Sequence, residues 1–243
     1  VEAIFRTGDV LRLSCPYTPA LVTGTSGSDV FVRWPWWKAD SECEWIRWNG
    51  DVALPRRPGS HDWGQELFRT DPAPDGLQPG DQCLVGIPPA LVHITEVQHF
   101  DPPLETGRLP RPRTYVVVLP EGQSQDPRLD EQGYEIDPDD DIPIRVDLVF
   151  RPYSFLHAGD ELVDQHERAW RFDAPWDWYA FDRGEPSTPA WPLTLLTRGG
   201  TFASNVAGAI AQATSASSHE EELARWKALT KAEPTRLHVT ELE

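Results

Sequence analysis

Residues 144–150 read Ile-Arg-Val-Asp-Leu-Val-Phe, and residues 161–172 read Glu-Leu-Val-Asp-Gln-His-Glu-Arg-Ala-Trp-Arg-Phe. The first stretch alternates apolar and polar side chains and then turns wholly apolar, as a strand does on entering a core. The second reads as a β-hairpin, two arms joined by a polar tip at His166 and Glu167. From there Trp170, Phe172, Trp176, Trp178, Tyr179 and Phe181 occur within twelve residues. Residues 142–182 therefore predict antiparallel strands with an aromatic end.

The pattern recurs toward the N-terminus. Gly8-Asp9, Gly80-Asp81 and Gly159-Asp160 each precede an apolar strand. Glycine supplies the positive φ of a turn and aspartate accepts a backbone N–H, so each pair is expected to start a strand of a small barrel. Short separate strands are expected at 10–13, 20–23, 29–34, 82–85, 90–97 and 114–119. The Asn49-Gly50 turn predicts a hairpin that pairs residues 44–48 with 51–54. A content of 24 Pro and 17 Gly suits many short strands joined by turns.

The expected fold is thus mainly β: small SH3-like or composite antiparallel barrels with a C-terminal helical segment. Residues 1–120 read as an N-terminal β region, divisible into small barrels at 1–58 and 77–120. Residues 121–141 carry nine acidic side chains and one Arg and read as an acidic linker. Residues 142–198 form a C-terminal β region with the aromatic hairpin, and 199–243 a helical tail with a short final strand. In that tail, residues 203–218 predict a helix around Val206 and Ile210. A capping box at residues 218–221 (Ser-His-Glu-Glu) opens a second helix, in which Leu223, Trp226 and Leu229 recur until Pro234. Residues 236–242 are the expected final strand.

A formal net charge of −17 repels duplexes and anionic membranes, so neither nucleic acid nor a membrane is expected as a partner. A protein or small-molecule ligand, cationic by preference, fits better. Cys15, Cys43 and Cys83 are odd in number and form no C-x-x-C pair, which suggests a reducing, cytoplasmic setting. No apolar run approaches 18 residues and residues 1–6 show no charged-then-apolar pattern, so neither export nor membrane insertion is expected. Three Lys against 19 Arg suggests a GC-rich, bacterial coding sequence, with Val1 at the initiator position.

Three groups of residues invite chemistry. His157, Asp160, Asp164 and His166 offer imidazole and carboxylate ligands for a divalent metal, which could activate water. Strand alternation opposes this, because successive side chains of a hairpin point to opposite faces. No other cofactor is expected. Asp137, Asp139, Asp140 and Asp141 suggest a hard cation, yet they lack the spaced acids, glycine and distal Glu of a calcium loop and read as solvated linker. The tryptophans Trp34, Trp36 and Trp37 surround Pro35, and Trp176 and Trp178 bracket Asp177. Aromatic faces beside a carboxylate make platforms for sugars, bases or cations, so these six residues are the candidate ligand-binding set.

Nucleophilic catalysis has little support: Ser26 lacks the Gly-x-Ser-x-Gly setting, and Cys83 lies in an apolar strand. His219 reads as a surface residue at a helix start. The sequence thus suggests an acidic binding or interaction protein using aromatic residues on a β scaffold. A metal-dependent hydrolase built on 157–167, or a structural subunit of a larger assembly, are the alternatives.

Overall fold

The computed structural model describes residues 5–43, 45, 48–56, 67–126, 128–129, 132–182, 187–202 and 204–234. The fold is mainly β, with two antiparallel sheets, one a curled half-barrel, and a C-terminal helical segment. The larger sheet is built on two long strands, β1 (Val10–Thr25) and β5 (Gln82–His99), paired antiparallel. Between them in the chain come β2 (Asp29–Arg33), β3 (Asp51–Pro55) and β4 (Arg69–Asp71). After β5 come β6 (Thr114–Pro120), β7 (Tyr134–Ile136) and β8 (Arg145–Phe150). The strand path is β3-β2-β1-β5-β6-β7, with β4 added to β5 and β8 to β1. The smaller sheet holds β9 (Asp160–Val163), β10 (Ala169–Ala174), β11 (Asp177–Ala180) and β12 (Thr194–Thr197) in the order β11-β10-β9-β12.

The strands expected at 10–13 and 20–23 are one strand, as are those at 82–85 and 90–97. Pro16, Pro88 and Pro89 look like breaks between short strands. They fall where the β1–β5 register shifts, between Leu13 and Thr18 and opposite it, so the missing N–H groups cost little regular pairing. At this crossing Gly86 is indispensable, since a Cβ there would lie 2.8 Å from the Cys15 carbonyl oxygen and 2.9 Å from the Tyr17 Cα.

The long strands give the sheet an interleaved order. The first half of β1 pairs with β8 on one side and with the second half of β5 on the other (Val10↔His93, Leu13↔Ala90). The first half of β5 pairs with β4 and with the second half of β1 (Leu84↔Pro19, Gln82↔Leu21). The smaller sheet repeats this order locally: β9 lies between β12 and β10. Each unit therefore reads last strand, Gly-Asp strand, next strand, and two of the three take their Gly-Asp strand from the other's sequence.

The Gly-Asp turns themselves are as expected. Gly8, Gly80 and Gly159 have φ of 85°, 97° and 85°. In each turn the Asp carboxylate accepts the backbone N–H three residues earlier, from Arg6, Gln78 and His157, at 3.0, 2.8 and 2.9 Å. The glycine N–H donates to a neighbouring strand, at Ile94, Val22 and Phe172 respectively.

The Asn49-Gly50 turn precedes β3, which pairs with β2; of the arm expected at 44–48, Glu44, Ile46 and Arg47 lie outside the described residues. Pro35 follows β2, and the described residues between it and β3 form an aromatic loop. The stretch expected as acidic linker contributes β7, paired with β6 (Val116↔Ile136). The predicted hairpin forms with Ala169 opposite Val163 and Phe172 opposite Asp160.

Two helices complete the fold, α1 (Ser204–Ser215) and α2 (His219–Thr230). The Ser218 hydroxyl accepts the Glu221 N–H, as the capping box predicts. Trp226 is buried, and its indole donates to the Gly8 carbonyl at 2.9 Å, tying α2 to the start of β1. The expected strand at 236–242 lies outside the described residues. Among the described residues no helix is long and apolar enough to cross a membrane.

Candidate functional site

The predicted aromatic residues fall into two separate cores. Trp34 is buried in the core of the large sheet and meets Trp36 and Phe68 edge-on, with ring centres 5.1 and 4.7 Å away. Trp36 and Trp37 are half-buried against the same core, and Trp37 packs on Trp48. Trp176 and Trp178 belong to the second core, where both surround Tyr153. Asp177 is half-buried in β11, opposite Ala174. The N-terminal trio and the C-terminal pair thus do not share a wall.

In the second core Tyr153 meets polar groups of α2, while the buried indole nitrogens of Trp176 and Trp191 have no hydrogen-bond partner among the described residues. Tyr153 is fully buried, its hydroxyl lies 2.6 Å from His219 Nδ1, and its N–H donates to Glu222. Burial pushes the Tyr153 pKa far above the ordinary value, with Glu222 and Glu220 adding to the effect, so it does not serve as an acid near neutrality. His219, expected at the surface, stacks half-buried on Tyr153 because α2 packs its first turn against this core.

Both candidate metal carboxylates are occupied by donors of the chain itself. Asp160 is fully buried and receives Arg198 through Nε at 2.8 Å and Nη2 at 2.5 Å. Asp164 accepts N–H groups of His166, Arg168 and Ala190 and the Trp170 indole. Its burial raises the pKa, but these four donors outweigh that and leave it below the usual range. His166 is exposed at the hairpin tip and His157 half-buried. Among the described residues no three His, Cys, Asp or Glu side chains are grouped to hold a metal. The three cysteines are buried and unbridged, and burial raises the Cys15 and Cys83 thiol pKa values.

A cavity of about 160 Å³ opens where the two ends of the strand path, β3 and β7, come together. Its apolar wall comes from Trp34, Trp48 and Phe68 around β2 to β4, from Val52 and Leu54 on β3, and from Tyr134 and Ile136 on β7. Ile142 and Ile144 close it ahead of β8, and Glu135, Asp137, Asp140 and Arg108 add charge. Arg108 pairs with Asp140 at 2.9 Å, which fixes the acidic loop over the opening.

Asp137 is the unusual member. It is 7% exposed, its Oδ1 accepts the Asp139 N–H at 2.9 Å, and its Oδ2 has no hydrogen-bond partner among the described residues. Burial raises its pKa, and the charges of Asp140 and Asp139 push the same way against the Asp139 N–H and Arg108. A buried carboxylate oxygen without a donor is costly, and protonation at a raised pKa lessens that cost.

Of the six predicted ligand-binding residues, only Trp34 lines this cavity, with Trp36 packed behind it on Phe68. Asp137 was hidden in a run of acids whose local composition says solvated linker. Only the pairing of residues 134–136 with β6 turns it inward. No family model, curated protein or solved structure matches the chain.

Proposed function

We propose that this chain is a binding module, and that its ligand, a small molecule or one side chain of a protein partner, enters the cavity between β3 and β7. The observation that carries the reading is a concave, aromatic-lined space with the acidic residues Glu135, Asp137 and Asp140 in its wall. Ligand pockets combine such apolar walls with a few placed polar groups. At about 160 Å³ the space is below the roughly 300–1,000 Å³ of drug-sized pockets, so it suits one side chain or a comparably small molecule. The same reading takes the repeated strand units as SH3-like and the protein as cytoplasmic and bacterial. Unbridged buried cysteines and the excess of Arg over Lys support those parts.

The test is an NMR titration of the full chain with short aliphatic alcohols, comparing wild type with Ile144→Trp, which fills the cavity from its rim. Saturable shifts at Trp34, Trp48 and Tyr134 are expected in wild type and not in the variant, with the melting temperature little changed. Shifts centred on Trp176 and Trp178 would move the site to the second core.

A further inference from the structure

A second cavity, of about 460 Å³, shares no residue with the one between β3 and β7. It lies where the tip of the β9–β10 hairpin, the segment leading into β12 and the α1–α2 junction meet. Hydrogen bonds join these three walls: the Gln165 N–H donates to the Ala190 carbonyl at 3.1 Å and the Leu193 N–H to Thr214 Oγ1 at 2.9 Å. The space is therefore preformed, and its volume falls within the roughly 300–1,000 Å³ of ligand pockets. It also sits in the part of the chain that avoids charge. Residues 186–218 carry one charged side chain, Arg198, which is held by Asp160, whereas 25% of the whole chain is charged.

The wall decides between ligand charges. Among the described residues no Lys or Arg lines the cavity, so an anion finds no partner there. The Glu220 carboxylate accepts its own N–H at the helix start and the Ser218 hydroxyl, which hold its pKa below the ordinary value, so a cation finds a charge already engaged. The hydroxyls of Ser215 and Ser217 give their hydrogens to the Ala211 carbonyl and to Glu221, at 2.7 and 3.0 Å, which leaves their oxygen lone pairs as acceptors. Gln165 is exposed and brings an amide that both donates and accepts. Trp191 is half-buried with its Nε1 shut off from solvent, so its side chain offers the cavity ring carbon, and Pro192 adds C–H surface. Acceptors around an aromatic carbon face suit an uncharged ligand with several O–H donors and one C–H face. We infer that this cavity binds a neutral sugar: a pyranose ring rests its C–H face on Trp191, its hydroxyls donate to Ser215, Ser217 and Glu220, and Gln165 bonds a further oxygen.

The test is an NMR titration of the full chain with the methyl glycosides of glucose, galactose, mannose and N-acetylglucosamine, with cellobiose and chitobiose, and with acetate and tetramethylammonium as charged comparators. At least one sugar is expected to give saturable shifts at the Trp191 indole and at the Gln165 and Ser217 N–H groups, and to bind more tightly than either ion. Trp191→Leu and Gln165→Ala should each weaken that sugar by about fivefold. A disaccharide that binds more tightly than its methyl glycoside supports a polysaccharide chain as the source, and equal binding supports a free sugar. Wild type that binds none of the sugars, shifts centred away from these three residues, an ion bound as tightly as the best sugar, or unchanged affinity in either folded variant overturns the assignment. Gln165 is exposed in a loop, so its variant keeps the comparison open where Trp191→Leu fails to fold. None of these outcomes bears on the cavity between β3 and β7.

Discussion

His93 shows how burial sets the behaviour of a single residue. It is 4% exposed, its ring meets Trp226 edge-on at 5.1 Å, and its Nδ1 has no hydrogen-bond partner among the described residues. Burial lowers its pKa from 6.5 to about 4, so the folded state holds it neutral while the unfolded chain takes up a proton. The stability this contributes is complete above pH 6.5 and is lost as pH falls from there toward 4, a change of about 3 kcal/mol. Urea unfolding between pH 7 and 4.5 should show His93→Gln losing less stability on acidification than wild type. Parallel profiles would assign the acid sensitivity to carboxylates instead. In the sequence His93 sits in an alternating strand, and nothing local tells that α2 will cover it, since Trp226 comes from 133 positions later. The same limit hid Asp137, and Trp34, read from its place beside Pro35 as part of a ligand platform, is buried in the core of the large sheet.

Among the elements, the Gly-Asp turn was the most legible, because its requirements are local: a positive φ and a short acceptor. Its ionic partner was not legible, since the cation that completes the turn comes from the far end of each unit. Asp9 is fully buried under Arg151, the residue directly after β8, with contacts of 2.9 and 2.7 Å. Asp160 is fully buried under Arg198, the residue directly after β12. At the third turn Asp81 is exposed, and Pro72 stands after β4 where the others have Arg. One turn geometry therefore carries two energetic roles. Asp9→Ala and Asp160→Ala each remove a carboxylate from beneath a largely buried guanidinium and should cost about 3–5 kcal/mol. Asp81→Ala loses a turn hydrogen bond in water and should cost about 1 kcal/mol or less. Denaturant melts of the three variants test this. Equal losses would mean that the turn, and not the ion pair, is what each aspartate stabilises.

For the whole molecule, the order of strands says that the first two units cannot be cut apart. The sequence shows a Gly-Asp strand and then, after a proline, another, which reads as two short separate strands of a small barrel. In the smaller sheet that is what happens: residues 164–168 turn β9 back onto β10. In β1 and β5 the connection through Pro16, or through Pro88 and Pro89, is too short and too constrained to turn, so the strand runs straight on and its halves join different units. Each unit then borrows its Gly-Asp strand from the other, with Gly8 donating to Ile94 and Gly80 donating to Val22. The two halves of this exchange are related by a local two-fold, since residue 8 stands to 94 as 80 stands to 22. A fragment of residues 1–76 holds one Gly-Asp strand and one set of acceptor strands, yet cannot bring them together in one chain. It should therefore fold as a homodimer in which two copies of β1 pair as β1 and β5 do here, a closed two-fold exchange. Light scattering coupled to size exclusion, with circular dichroism for folding, reads the outcome directly. A folded monomer would show that the connection through Pro16 can close, and that the interleaving in the full chain is a choice of pathway and not of geometry. Exchanging Cys15-Pro16-Tyr17 for the five-residue sequence of 164–168 in the same fragment should shift it from dimer to monomer, because the longer loop supplies the reversal that β9 and β10 already use.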